Sequence, residues 1–182
     1  MVKTVGPESI AVRMTDPGLS WTGKGYLDHN HGDEPLGDAF KVWDWSPAHL
    51  STDSTVLYDL KRCDGSAVSL AVRFGADGEP EPFDPPPVGR MPDTASGMKR
   101  FTRSEPGGMA GGVGSWEDTP FHSRSAPFTG LHGDDACGVH ESLSPGRLRS
   151  PVVPALLPFR MPRALGPGPG CRRLGVAAFV AP

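Results

Sequence analysis

Apolar and polar residues alternate with a period of two along much of the chain, which is the pattern of β-strands with one covered face. The clearest example is a pair of alternating runs at 56–61 and 68–74, separated by Cys63-Asp64-Gly65-Ser66. An Asp-Gly step between two alternating runs predicts a β-hairpin. One face of this hairpin is apolar and the other is mixed, as expected for an antiparallel sheet that is covered on one side.

The same alternation predicts further strands, at 9–14, 21–27, 40–45, 98–103, 115–124 and 135–143. Within 40–45, Trp43 and Trp45 fall on one face and Asp44 on the other. Helices are scarce, since the best helical candidate, 148–163, is interrupted by four prolines. The pattern therefore predicts an all-β, antiparallel fold, built as a barrel or a sandwich.

Composition changes this picture at the end of the chain. Gly 24 and Pro 21 make up about a quarter of the 182 residues, and they concentrate at 75–97, 106–114 and 164–170. The proline-rich segment 75–97 cannot be a central strand. We expect one β domain over 1–163 and a disordered tail over 164–182.

Charge and hydropathy exclude several classes of function. The net charge is −3 and no long Lys/Arg run is present, which disfavours nucleic-acid binding. The first fourteen residues lack the apolar core of a signal peptide, so a cytoplasmic location is expected. The apolar stretch 151–159 is too short to span a bilayer, and any membrane contact is expected to be peripheral.

The residues with the most chemistry lie between 21 and 46, where three of the four tryptophans occur among five acidic residues. A carboxyl group surrounded by aromatic rings is desolvated, so its pKa rises and it can hold a proton near neutral pH. Tyr26 and Asp28 are two residues apart on one predicted strand and therefore share a face. His29 and His31 with Asp33 have a spacing that metal sites use, but the segment is loop-like and no metal is expected.

A specific motif runs through this segment. It reads Trp-x-Gly-x-Gly-Tyr-x-Asp-x-Asn-x-Gly-Asp-Glu-Pro-Leu at 21–36, followed by Phe-x-x-Trp-Asp-Trp-Ser at 40–46. Supporting matches are Glu-Asp-Thr-Pro-Phe at 117–121 with Ser-Arg-Ser at 123–125, and His-Glu-Ser-Leu-Ser at 140–144 with Leu-Pro-Phe-Arg-Met-Pro-Arg at 157–163. In this order the motifs resemble the carotenoid 1,2-hydratases (hydroxyneurosporene synthases) over residues 7–163.

The resemblance implies a lipocalin-like β-barrel and an enzyme that adds water to the terminal 1,2 double bond of acyclic carotenoids without a cofactor. It implies that Asp28 is the catalytic acid with Tyr26 beside it. Trp21, Trp43, Trp45 and Asn30 are then expected to bind the substrate. Such a substrate resides in membrane, so peripheral contact with the cytoplasmic side of the inner membrane is expected. The resemblance further implies that the chain corresponds to the second half of the family's two-barrel protein, and a missing N-terminal half is then the expected partner.

Two other interpretations remain open at this point. A lipocalin-like module that binds an apolar ligand without reacting it needs the same aromatic walls. An inactive, truncated fragment of the enzyme would contain the same motifs and expose an apolar interface.

Overall fold

The structure, a computed structural model, describes residues 3–29, 31–108 and 111–156. Twelve strands and three short helices occur in this part of the chain. The strands are β1 (Lys3–Thr15), β2 (Gly18–His29), β3 (Phe40–His49), β4 (Ser54–Arg62), β5 (Ala67–Phe74), β6 (Pro80–Pro82), β7 (Val88–Met91), β8 (Arg100–Arg103), β9 (Gly111–Asp118), β10 (His122–Leu131), β11 (Asp134–Cys137) and β12 (His140–Leu143). The helices are α1 (Leu36–Ala39), α2 (Pro145–Leu148) and α3 (Val152–Leu156).

The central sheet has eight antiparallel strands in the order β11-β10-β12-β3-β4-β5-β6, with β9 on the other side of β10. Strands β3, β4 and β5 form its regular part, and the predicted hairpin is β4–β5, with Tyr58 opposite Leu70. Strand β12 pairs with β3, so that Ser142 lies opposite Asp44. The all-β, antiparallel prediction is confirmed.

Two smaller sheets accompany the central one. Strands β1 and β2 form a two-stranded hairpin, with Val12 opposite Trp21. Strands β7 and β8 form another. The segment that contains β7 and β8 lies over one face of the central sheet, because Thr102 and Arg103 of β8 bond to Ser46 and Asp59.

Several strand predictions need correction at their boundaries. The predicted strand 115–124 is in fact parts of β9 and β10, which are separated by a turn at Thr119, whose hydroxyl bonds to His122. The predicted strand 135–143 is β11 and β12, separated at Gly138. A side chain at Gly138 would approach the Pro47 carbonyl oxygen to 2.1 Å, so this close contact with β3 requires glycine.

The helical content is small, as the proline pattern predicts. The three helices have four, four and five residues, and Pro145 occupies the first turn of α2. No helix among the described residues is both long and apolar enough to cross a membrane. The predicted tail at 164–182 lies outside the described residues.

Candidate active site

The alternation within β3 gives the central sheet two unlike faces. Trp43 and Trp45 lie on the face that we call the aromatic face, with Tyr58 of β4 between their rings. The ring centroids of Trp43 and Tyr58 are 5.9 Å apart, and those of Trp45 and Tyr58 are 6.4 Å apart, with tilted planes. Such spacing is typical of favourable aromatic pairs. The three rings form a continuous wall in which both tryptophans are half-buried.

Apolar side chains of β5 continue this wall across the sheet. Leu70 lies opposite Tyr58, and Val68 lies opposite Leu60. Leu70 is 40% exposed and Val68 is 50% exposed, whereas Tyr58 is buried. The aromatic face therefore changes from a buried centre to an exposed apolar margin.

The other predicted site residues lie at or near β2. Trp21 is half-buried in that strand and belongs to the separate β1–β2 sheet. Tyr26 and Asp28 are positions of β2, with Asp28 opposite Thr4, but their side chains lie outside the described part of the structure. Asn30 also lies outside the described residues. The structure brings Trp43 and Trp45 together, and the roles of Trp21, Tyr26, Asp28 and Asn30 stay predictions.

The opposite face of β3, which we call the polar face, carries a buried hydrogen-bond network. The Ser142 hydroxyl donates to Asp44 Oδ1 over 2.5 Å, and it lies 2.9 Å from His140 Nε2. The other ring nitrogen, Nδ1, is 2.7 Å from the Ser46 hydroxyl, which is 3.2 Å from that of Thr102. All five residues are buried.

These partners define the state of the imidazole. When Asp44 is a carboxylate, the Ser142 hydroxyl gives its hydrogen to Asp44 and can only accept from His140. Nε2 therefore carries the proton, and Nδ1 accepts from the Ser46 hydroxyl. In this ionised state of Asp44 the hydrogen bonds run in one direction, from Ser46 through His140 and Ser142 to the carboxylate.

Burial shifts both titratable groups towards their neutral forms. Loss of solvation raises the pKa of the Asp44 carboxyl from 3.8 to about 7, although the bond from Ser142 opposes this. Loss of solvation lowers the pKa of the His140 imidazole from 6.5 to about 3, and the nearby Arg100 guanidinium adds to the effect. His140 Nε2 and Asp44 Oδ1 are 3.6 Å apart, which is the distance of an ion pair. With these shifted pKa values, however, both groups are neutral over most of the range from about pH 3 to about pH 7.

A charged cluster borders the wall on the aromatic face. Glu141 lies opposite Trp45 and accepts hydrogen bonds from Arg124, and His122 lies between Glu117 and Glu141. The bond to Glu141 raises the pKa of His122 above its usual value. Burial alone would raise the pKa of Glu141, but its bonds with His122 and Arg124 lower it instead. This cluster gives the apolar wall a polar edge.

Asp44, His140 and Ser142 were not predicted as a site from the sequence. The available signal was the alternation in Trp43-Asp44-Trp45-Ser46, which places Asp44 away from the tryptophans. What was missing was the pairing of β12 with β3, which joins residues 98 positions apart. As for metals, the described ranges contain no group of three or more His, Cys, Asp or Glu residues that could hold an ion.

The fold and the aromatic wall define an antiparallel β domain with a surface suited to an apolar ligand. The family follows from sequence comparison: residues 2–167 match the model of the family described as Carotenoid hydratase CrtC. The chain therefore belongs to the CrtC carotenoid hydratase family, as the motifs predict.

Curated relatives agree with this assignment. The acyclic carotenoid 1,2-hydratase of Thiocapsa roseopersicina is 51% identical over 158 residues, which are 86% of this chain and 39% of that protein. The enzyme of the same name from Rubrivivax gelatinosus is 42% identical, over 85% of this chain and 38% of that protein. The enzyme of that name from Rhodobacter capsulatus is 38% identical, over 82% of this chain and 54% of that protein. The chain thus spans between about two fifths and about half of the length of these relatives.

A structural alignment relates this chain to a solved structure described as a candidate AttH protein from Nitrosomonas europaea. The alignment covers 80% of this chain and 51% of the solved chain. The sequence identity is 16% and the TM-score is 0.49.

Proposed function

We propose that this chain forms the substrate-binding and acid-bearing part of an acyclic carotenoid 1,2-hydratase. The observation that carries the proposal is the wall of Trp43, Tyr58 and Trp45, found in a member of the carotenoid hydratase family. A flat apolar wall with exposed margins at Val68 and Leu70 suits a long polyene such as neurosporene or lycopene.

The reaction begins with protonation of the terminal double bond. Transfer of a proton to one alkene carbon leaves a tertiary cation on the other, and water adds to that cation and then loses a proton. We assign the acid to Asp28, with Tyr26 orienting its carboxyl group or the water. Trp21 and Asn30 complete the contacts with the substrate in this scheme.

Tryptophan rings are suited to the cationic intermediate. The face of an aromatic ring attracts a cation by about 0.5–2 kcal/mol without supplying a nucleophile that would trap it. Trp43 and Trp45 have this role in our proposal. Asp44 lies between them in sequence but on the opposite face of the sheet, so it cannot protonate a ligand that rests on the wall.

Contact with the membrane is part of the same proposal, because the substrate is a lipid-soluble polyene. Leu148 of α2 is 41% exposed and Val152 of α3 is 62% exposed, and both are apolar side chains that a lipid surface would cover. Co-sedimentation of the chain with phospholipid vesicles should fall in the Leu148→Ser/Val152→Ser variant. Equal sedimentation of both proteins would contradict contact through these helices.

The test of the activity uses the purified chain with neurosporene or lycopene in detergent and separation of the products by chromatography. We expect a 1-hydroxy product that is lost in the Asp28→Asn variant, with unchanged circular dichroism. The matched control is Asp38→Asn, an acidic residue outside the proposed machinery, which should keep full turnover. Substantial turnover by the Asp28→Asn variant would rule out Asp28 as the acid.

The second candidate function is binding without reaction, and the same wall favours it. Binding of a polyene against Trp43 and Trp45 should quench their fluorescence. Saturable quenching that Asp28→Asn does not alter, together with no product after adding the remaining part of a relative in trans, would favour a binding module.

A further inference from the structure

The polar face extends beyond Asp44 and His140 on to strands β9 and β10. Ser125 of β10 lies opposite both His140 of β12 and Ser115 of β9. Ser123 lies opposite Ser142 in the neighbouring row. Cross-strand partners share a face of the sheet, so these hydroxyls adjoin the network that ends at Asp44.

Two of these hydroxyls lack a hydrogen bond to any residue that the structure describes. The Ser123 and Ser125 side chains are fully buried, at 0% exposure, and neither Oγ atom has a partner among the described residues. A buried hydroxyl without a partner loses its solvation and gains nothing in return, so such groups are rare in native proteins. Two of them at alternate positions of one strand indicate that this face binds a polar ligand.

The surroundings of the two hydroxyls are polar. Ser142 lies opposite Ser123, and Ser115 lies opposite Ser125. Ser142 donates to Asp44 and accepts from His140, so its oxygen retains one further lone pair. Buried waters typically make two to four hydrogen bonds, and the two free hydroxyls together with Ser142 supply that number.

We propose that Ser123 and Ser125 bind buried water, which joins the β10 hydroxyls to the Asp44–Ser142–His140 network. The ligand class is water itself, and the site is separate from the aromatic wall because it lies on the other face of the sheet. The inference does not depend on the proposed hydratase activity.

The first test detects the water directly in the isotopically labelled full chain. Nuclear Overhauser experiments between water and the backbone amides should give long-lived water contacts at Ser123 and Ser125 in the unaltered protein. The same contacts should disappear in the Ser123→Ala/Ser125→Ala variant. The absence of any long-lived water at these amides in the unaltered, folded protein would overturn the proposal.

The second test uses stability. Ser125→Ala should lower the urea midpoint if the hydroxyl is bonded to water, whereas removal of a dry, unpaired hydroxyl should raise it. The control is Thr129→Val on the same strand. Thr129 Oγ1 also has no partner in the described part of the chain, but it lies opposite Ala136, whose side chain offers water no second polar group. We expect the control to keep or raise the midpoint, and a rise for Ser125→Ala as well would contradict the water site.

Discussion

The two faces of strand β3 are buried in opposite ways. On the aromatic face, Trp43 and Trp45 are large and apolar, yet they remain half-buried. On the polar face, Asp44 and Ser46 are each only 5% exposed. The more polar side of this strand is thus the more completely buried side, which reverses the usual preference.

The difference shows that directional hydrogen bonds stabilise the buried residues of the polar face. Asp44 is held by Ser142, and Ser46 by His140 and Thr102, so their burial is compensated by hydrogen bonds. Aromatic contacts require no such geometry and can be shared with a ligand. We infer that ligand binding belongs to the aromatic face and that the polar face fixes the position of the β7–β8 segment over the sheet.

The largest effect is expected at the centre of the aromatic face. Tyr58→Ala removes a buried ring that contacts both Trp43 and Trp45, and deletion of a buried aromatic side chain costs about 3–5 kcal/mol. Urea denaturation followed by circular dichroism measures this loss.

The matched control lies on the same face at its exposed margin. Val68 is 50% exposed, so Val68→Ala should change the free energy of unfolding by less than about 0.5 kcal/mol. Similar losses for Val68→Ala and Tyr58→Ala would mean that the margin is covered as well as the centre, and the description of the aromatic face would be wrong.

The sequence predicted each strand's faces better than it predicted which strands are neighbours. The β4–β5 hairpin follows from local alternation and an Asp-Gly turn, and it is present in register. Trp43 and Trp45 were correctly separated from Asp44 by the same reasoning. These features depend on residues that are close in sequence, where periodicity is informative.

The polar network could not be predicted in this way. It requires β12 to lie beside β3, a pairing between residues about a hundred positions apart that no local pattern encodes. In the sequence His140 and Glu141 belong only to a supporting motif, and the strand pairing is what gives each of them its neighbours on opposite faces of the sheet. The roles of Asp28 and Tyr26 rest on the family motif and stay predictions.

The next effect concerns pH and the neutral pair of the polar face. The pKa of Asp44 is raised from 3.8 to about 7, so its stabilising contribution is complete below pH 3.8 and is lost as the pH rises towards 7. The pKa of His140 is lowered from 6.5 to about 3, so its contribution is complete above pH 6.5 and is lost as the pH falls towards 3. Between about pH 4 and 6.5 the two dependences oppose each other.

Single substitutions should separate the pH dependence of Asp44 from that of His140. Asp44→Asn leaves the histidine, so stability should rise with pH across this window, by up to about 1.4 kcal/mol per pH unit. His140→Gln leaves the carboxyl group, so stability should fall with rising pH by up to a similar slope. Urea midpoints measured at half-unit steps give both slopes, and two variants with parallel pH profiles would show that the pair does not titrate as described.

The smallest effect tests how firmly the polar face holds the β7–β8 segment. Arg103 of β8 binds Asp59 of β4 through two parallel bonds, Nε to Oδ2 at 2.8 Å and Nη2 to Oδ1 at 2.6 Å. The two side chains are only 13% and 25% exposed, so this ion pair is screened less than a surface pair. Arg103→Lys retains the charge but loses the planar fork, and we expect a loss of about 1 kcal/mol in the free energy of unfolding.

An exposed ion pair in the neighbouring strand β7 is the control for Arg103→Lys. Arg90 of β7 binds Asp93 with side-chain exposures of 62% and 42%, so Arg90→Lys should cost less than about 0.5 kcal/mol. The difference between the two lysine variants isolates the geometry of the fork, because both retain the positive charge. If Arg103→Lys cost no more than Arg90→Lys, directional bonding would not be what closes the polar face, and packing of Met91 and Met98, which are both buried in the same segment, would have to hold it instead.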